Sequence, residues 1–234
     1  MDVERHDDEA AARIAAAIGE PARARMLYCL MDGRARTSTE LAIVADIGMS
    51  TASAHLSRLS AEHLVKSVSQ GKHRYYSLHG SEVARALESL SVVAGGRRMA
   101  HVSRTPPAMR AARTCYDHVA GTFGVALHDR FVGKGWLVRP EDGDEDAYEL
   151  THEGARVLHE LGVDVERARE ARRRFAYSCL DWSERKPHLG GALAAAILAM
   201  AIKRKWVVRE LDSRALEVTP HGDSELRSRL GICL

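Results

Sequence analysis

Aromatic residues are scarce in this chain: Phe, Trp and Tyr make up only 5% of its 234 residues. Alanine and arginine are abundant instead, so helices are expected to dominate. An excess of one charge is also missing. The 34 Lys and Arg against 32 Asp and Glu leave a net charge of +2. That is no global field for drawing in nucleic acid, so any such charge has to be local. Cysteine is limited to Cys29, Cys115, Cys179 and Cys233, spaced too widely for a disulfide scaffold. Reduced thiols and a cytoplasmic location are the expectation. The most apolar run, residues 190–202, is alanine-rich and too short to span a bilayer, so it reads as a buried helix. Residues 1–9 are acidic and polar, the opposite of an export signal, and no membrane partner is expected. What is present, 45% hydrophobic and 28% charged residues, suffices for one or two compact domains.

The first half carries a sequence of helix signals. Residues 8–18 place Ala and Ile at helical spacing, Gly19 ends the run, and Pro21 stands where the next helix can begin. Met26, Leu27 and Leu30 mark the buried side of that second helix, and Asp32-Gly33 breaks it. Hydroxyls at 37–39 can cap a short helix over 40–45. Asp46-Ile47-Gly48 then turns the chain into a longer helix over 50–63, with Ala54, Leu56, Leu59 and Leu64 expected inward. Two helices joined by a short glycine-containing turn form a helix-turn-helix. Ser50, Thr51, Ser53, His55 and Arg58 are assigned to the exposed face of its second helix. Hydroxyls there suit phosphates, while His and Arg reach base edges in a major groove. Strands over 64–69 and 74–78 follow, and their connecting turn bears Lys72, His73 and Arg74. That hairpin is a wing, and it concentrates the local positive charge that the whole chain lacks.

Residues 18–33 and 37–78, in this order and spacing, resemble the arsenic-repressor (ArsR) family of bacterial regulators. The resemblance covers roughly the first 90 residues. It implies a homodimer that binds palindromic double-stranded operator DNA, and repression relieved by an effector, often a metal ion. Two familiar sensor positions of that family do not match. The stretch that would hold a Cys-x-Cys pair reads Glu-Leu-Ala-Ile-Val at 40–44, and residues 81–90 offer only Glu82 and Glu88, without histidines. Any sensing therefore lies elsewhere. The helices over 8–18 and 81–90 are the expected dimer interface.

Residues 92–107 contain Gly95-Gly96, several arginines and Pro106-Pro107, with no acidic residue, and read as a linker after a DNA-binding and dimerisation domain over 1–91. Beyond it, 108–165 and 172–234 form two similar units of one effector-sensing domain. His118 to Trp136 and His188 to Trp206 have the same spacing, and Gly121 matches Gly191. Each unit reads as helix, short strand, turn, short strand, helix. The expected fold is thus mainly α with small β-hairpins: a winged helix-turn-helix followed by two winged-helix-like repeats. Both units open on Cys, then Asp, then His. Cys115 and His118, three apart, suit one side of a helical turn, while Cys179, Asp181 and His188 are spread along a loop. Convergence of Cys115, Asp117, His118, Cys179, Asp181 and His188 makes a site for zinc or another thiophilic divalent metal. Arg110, Arg113 and Arg172 to Arg174 lie near these thiols in sequence and would favour thiolate.

The leading reading is an effector-responsive repressor with a metal ion favoured as effector. A thiol redox switch or a small organic molecule is the alternative. A cysteine-dependent enzyme, with Cys115 as nucleophile and His118 as base, lacks a third member and an oxyanion hole, so no catalytic residue is assigned. Cys29 and Cys233 are assigned no role, and Trp136 and Trp206 are assigned to the repeat cores.

Overall fold

The computed structural model describes residues 2–70, 73–96, 106–141, 144–210 and 213–234, with the backbone alone for 2–7, 73, 95 and 96. The chain divides into two compact units, Met1–Leu87 and Glu88–Leu234.

In the first unit, α1 (Asp2–Ile18) ends at Gly19, and α2 (Pro21–Cys29) starts with proline at its first position. The Glu20 side chain caps α2 by accepting from the amides of Ala22 and Arg23. After a 3-10 turn (Leu30–Asp32), β1 (Arg36–Thr37) leads into α3 (Ser38–Ala45). Thr37 and Glu40 form a reciprocal capping box at its start. The turn at 46–48 feeds α4 (Met49–Ala61), and Met26, Leu27, Leu30, Leu41, Leu56 and Leu59 close the core between these helices. The wing is β2 (Val65–Gln70) and β3 (His73–Leu78), paired antiparallel from Val65 opposite Leu78 to Gln70 opposite His73. β1 joins its inner edge, giving the order β1-β3-β2, a third strand the sequence pattern did not reveal. Ala54 also departs from expectation: it is exposed, and Ala52 takes the buried position two residues earlier.

Helix α5 (Ser81–Gly96) continues well past residue 90. The expected linker over 92–107 is therefore helical at 92–96, because Val92, Val93 and Ala94 extend the helix before its two glycines; 97–105 lie outside the described residues.

After α5, the second unit continues with α6 (Pro107–Ala111) and then shows one order of elements twice. First come the hairpin β4 (Arg113–Cys115) and β5 (His118–Ala120), α7 (Gly121–Gly133), the hairpin β6 (Leu137–Val138) and β7 (Glu149–Leu150), and α8 (His152–Glu160). After α9 (Val165–Arg169) come β8 (Tyr177–Leu180), β9 (Pro187–Gly190), α10 (Ala192–Lys203), β10 (Val207–Arg209), β11 (Leu216–Val218) and α11 (Pro220–Glu225). A π turn (Leu226–Leu230) follows. The cysteines thus open hairpins, not helical turns: residues 113–115 and 118–120 find cross-strand partners that the three-residue Cys-to-His spacing concealed.

The two halves exchange contacts reciprocally. Thr114 N donates to Arg214 O (2.8 Å) and Leu216 N to Ala112 O (2.9 Å); equivalently, Ser178 N donates to Asp146 O (2.6 Å) and Tyr148 N to Ala176 O (3.1 Å). Each half's second hairpin thereby borders the other half's first. One shared core holds Phe123, Phe131, Trp136, Leu193, Ile197 and Trp206, which places both tryptophans as expected. Gly121 and Gly191 each start a helix with positive φ, +80° and +101°, and a Cβ on either would sit 2.5 Å from a main-chain oxygen. Among the described residues, no helix is long and apolar enough to cross a membrane.

Candidate metal centre and DNA-reading surface

Residues directly opposite in an antiparallel ladder share one face, with their side chains adjacent. Cys115 pairs with His118, and Cys179 with His188. Each hairpin therefore presents one sulfur beside one imidazole. The two presenting faces meet, and one ligand atom from each of Cys115, His118, Cys179 and His188 lies within 4.8 Å of all the others. All four are buried, the most exposed being Cys179 at 7%. The sulfurs are 4.0 Å apart and the two Nε2 atoms 3.2 Å apart. Tetrahedral zinc, with bonds of about 2.3 Å to sulfur and 2.0–2.1 Å to nitrogen, sets these separations near about 3.8 and 3.3 Å. The donor set fits such an ion, and these two separations lie close to its geometry.

The two aspartates stand behind the histidines. Asp117 Oδ1 is 3.4 Å from His118 Nδ1, and Asp181 Oδ2 is 3.7 Å from His188 Nδ1. Neither aspartate belongs to the four-residue cluster, although both counted as ligands in the sequence reading. Each is paired with an arginine from the opposite half, Asp117 with Arg173 and Asp181 with Arg113. Three of the five arginines expected to bias the thiols are thus committed to carboxylates, Arg174 to Asp146 (2.6 Å) being the third, while Arg110 and Arg172 are exposed. Two-residue spacing explains the arrangement on the buried side: Arg113 and Cys115 share one face of β4, and Asp181, just past the end of β8, follows Cys179 by the same interval.

Electrostatics follow from this burial. Desolvation pulls the His118 imidazolium down, but the Asp117 carboxylate and the Cys179 sulfur outweigh it and bring the group up to about 9. The hydrogen bond between the thiols divides them: Cys115 is pushed well above the ordinary thiol value and Cys179 is held well below it, the latter aided by both histidines. Burial works against the Asp181 carboxylate, yet Arg113 and the Gly121 amide hold it far below the usual range. Among the other cysteines, Cys29 is half-buried at the end of α2, and Cys233 is exposed.

On α4, Ser50, Thr51, Ser53 and Arg58 are exposed, and so are Ala54 and Ser57, which sequence reasoning did not assign to this face. His55 is half-buried instead, its Nδ1 3.3 Å from Arg23 and its Nε2 3.6 Å from Glu20. Arg58 leans on Glu62 (3.2 Å) with half of its side chain exposed. On the wing, Arg74 is exposed; Lys72 lies outside the described residues, and only the backbone of His73 is described.

Helices α3 and α4 with the three-stranded wing define the class: a winged helix-turn-helix, DNA-binding protein. Comparison with known proteins agrees. The chain is 37% identical over 223 residues to the uncharacterised HTH-type transcriptional regulator YdfF of Bacillus subtilis (strain 168), spanning 94% of this chain and 97% of that one. The chain belongs to the HTH-type transcriptional regulators and is a DNA-binding regulator of transcription. Among solved structures, the homodimeric DNA-binding fragment of Mb0332 from Mycobacterium bovis, a possible ArsR-family regulator, is 28% identical with a TM-score of 0.40. That match covers 44% of this chain and 95% of the fragment. The cadmium sensor CMTR of Mycobacterium tuberculosis is 33% identical with a TM-score of 0.32, covering 41% of this chain and 94% of that one. No family model matches the chain.

Proposed function

We propose that this regulator is a cytoplasmic, homodimeric repressor that leaves its operator when its second unit binds a thiophilic divalent cation, zinc foremost. Cys115, His118, Cys179 and His188 are the ligands, and Asp117 and Asp181 orient the two imidazoles from behind. One observation carries the reading. With both Nδ1 atoms turned towards carboxylates, both Nε2 atoms face each other at 3.2 Å in a buried pocket, beside two sulfurs. Two imidazole lone pairs at that distance repel unless a proton or a metal ion is shared between them. Two thiolates and two neutral imidazoles around a dication leave no net charge, which suits the burial of all four side chains.

DNA is read by Ser50, Thr51, Ser53 and Arg58 of α4, with Ala54 and Ser57 on the same face, and by Lys72, His73 and Arg74 of the wing. His55 acts by bracing α4 against the start of α2. Ile14 on α1 and Leu90 and Val93 on α5 are exposed apolar residues, which supports these helices as the dimer surface. The test uses a duplex selected from a random library by the purified chain, followed by fluorescence anisotropy. Zn2+ should release the wild-type protein and leave the Cys115→Ser, Cys179→Ser double variant bound. Release of both alike, or of neither, overturns the sensing role.

A second reading rests on the 4.0 Å between the two sulfurs. Oxidation by hydrogen peroxide would join them as a disulfide: the two thiols lose two electrons and two protons, the O–O bond is cleaved, and two waters leave. Non-reducing mass spectrometry after peroxide treatment, in parallel with DNA binding, distinguishes it: release that requires a Cys115–Cys179 link favours redox sensing over metal.

A further inference from the structure

The two histidine–aspartate–arginine sets are reciprocal in connectivity and unequal in construction. Asp181 and Arg113 have no exposed side-chain surface. Arg113 Nη2 donates to both Asp181 oxygens at 2.9 Å. Asp181 also accepts from the amides of Gly121 (2.7 Å), Ser183 (2.9 Å) and Glu184 (3.0 Å) and from Ser183 Oγ (2.8 Å). Arg113 is held further by Ser183 Oγ (3.0 Å) and lies over the Trp182 ring. The 181–186 connection is itself closed, by Asp181 N to Lys186 O (2.9 Å) and Arg185 N to Asp181 O (2.8 Å). The Asp181 carboxylate and its loop are therefore fixed before any ion arrives, with His188 Nδ1 3.7 Å from that carboxylate and making no hydrogen bond of its own.

The Cys115–His118 side is built differently. Asp117 sits in the two-residue turn between β4 and β5, next to Tyr116 at φ +60°. Its side chain is 32% exposed and that of Arg173 is 26% exposed. Its charged partner there is Arg173, whose other terminal nitrogen reaches Gly191 O at 3.4 Å. Arg173 thus ties the turn of the first hairpin to the start of α10 in the opposite half, bonded to the carboxylate that stands behind His118. An ion reaching four buried ligands has to pass somewhere, and this strap is the less costly of the two aspartate–arginine pairs to open: a partly exposed ion pair contributes little, whereas breaking a buried one strands a charge away from water.

We propose that Arg173 is a positioning residue for the metal centre, holding Asp117 and the Cys115–His118 hairpin closed, and that the ion exchanges through this side. The inference rests on the metal reading above and adds its route. The test measures transfer of bound Co2+ from the full-length protein to excess EDTA by stopped-flow absorbance. Arg173→Ala should speed release at least tenfold while the Co2+ absorption bands and far-UV circular dichroism stay unchanged, and Arg173→Lys should restore most of the slow rate. Ser183→Ala, on the anchored side, should stay within twofold of wild type. An unchanged rate in Arg173→Ala, or equal acceleration in Ser183→Ala, overturns the proposed route and leaves the site standing. A wild-type chain that takes up no Co2+ overturns the metal reading and this one with it.

Discussion

The two halves of the second unit share their element order, their Cys–His cross-strand pairs and their borrowed arginines, but only one of the two aspartate–arginine pairs is fully buried. On the β8–β9 side, Asp181 and Arg113 are sealed, and Asp181 accepts from Arg113, Ser183 and the Gly121 and Glu184 amides; on the β4–β5 side, Asp117 and Arg173 are partly exposed. Repetition supplies two copies of a chemical pattern, and burial gives them different work. On the proposed reading, the sealed carboxylate backs His188 in advance, while the exposed one leaves its hairpin free to yield. The first unit offers a further contrast. Its exposed polar face on α4 is assembled from single side chains, without pairing across distant segments.

The expected effects that sharpen this comparison begin with the ligands. Removing a thiolate from each half, Cys115→Ser with Cys179→Ser, should lower affinity for Zn2+ by at least about a thousandfold, since hydroxyls are poor replacements for thiolates at such a centre; competition with a chromophoric chelator measures it. Asp181→Ala leaves the buried Arg113 guanidinium without its counter-charge and should cost about 3–5 kcal/mol of stability in urea denaturation. A loss below about 1 kcal/mol would erase the distinction between the halves. Gly121→Ala and Gly191→Ala should each cost about 1–3 kcal/mol, through positive φ and the close main-chain oxygen. Equal losses would mark the two helix starts as equivalent supports. Asp117→Asn should have the smallest effect on folding, under about 1 kcal/mol, with about a tenfold loss of Zn2+ affinity. If it matched Asp181→Ala in denaturation, the open half would be as rigid as the sealed one.

Much of the first unit was legible because its signals are local. Gly19, Pro21, the capping Thr37 and the turn at 46–48 punctuate the helices, and the alternation of the wing is short-range. The misplaced Ala54 shows the limit: two alanines two positions apart fit the same helix, and packing against neighbouring helices selects Ala52 for the core. In the second unit the four clustered residues, Cys115, His118, Cys179 and His188, were legible as a repeated Cys-x-Asp with a following histidine, but their backbone was not. Tyr116 carries φ +60° in a turn with no glycine or asparagine to announce it, so the first hairpin was read as helix. The roles of Arg113 and Arg173 were hidden as well. Proximity in sequence pointed them at the thiols, whereas their partners, Asp181 and Asp117, lie 68 and 56 residues away in the chain.

The most direct measurement is Co2+ titration of the purified full-length protein, followed by absorption in the thiolate charge-transfer and visible d–d regions. One Co2+ per chain, with intense tetrahedral d–d bands and sulfur-to-metal charge transfer that vanish in the Cys115→Ser, Cys179→Ser variant, is the expected result. Failure to bind, or binding with weak octahedral bands that the double variant retains, would contradict a metal centre shared by the two halves.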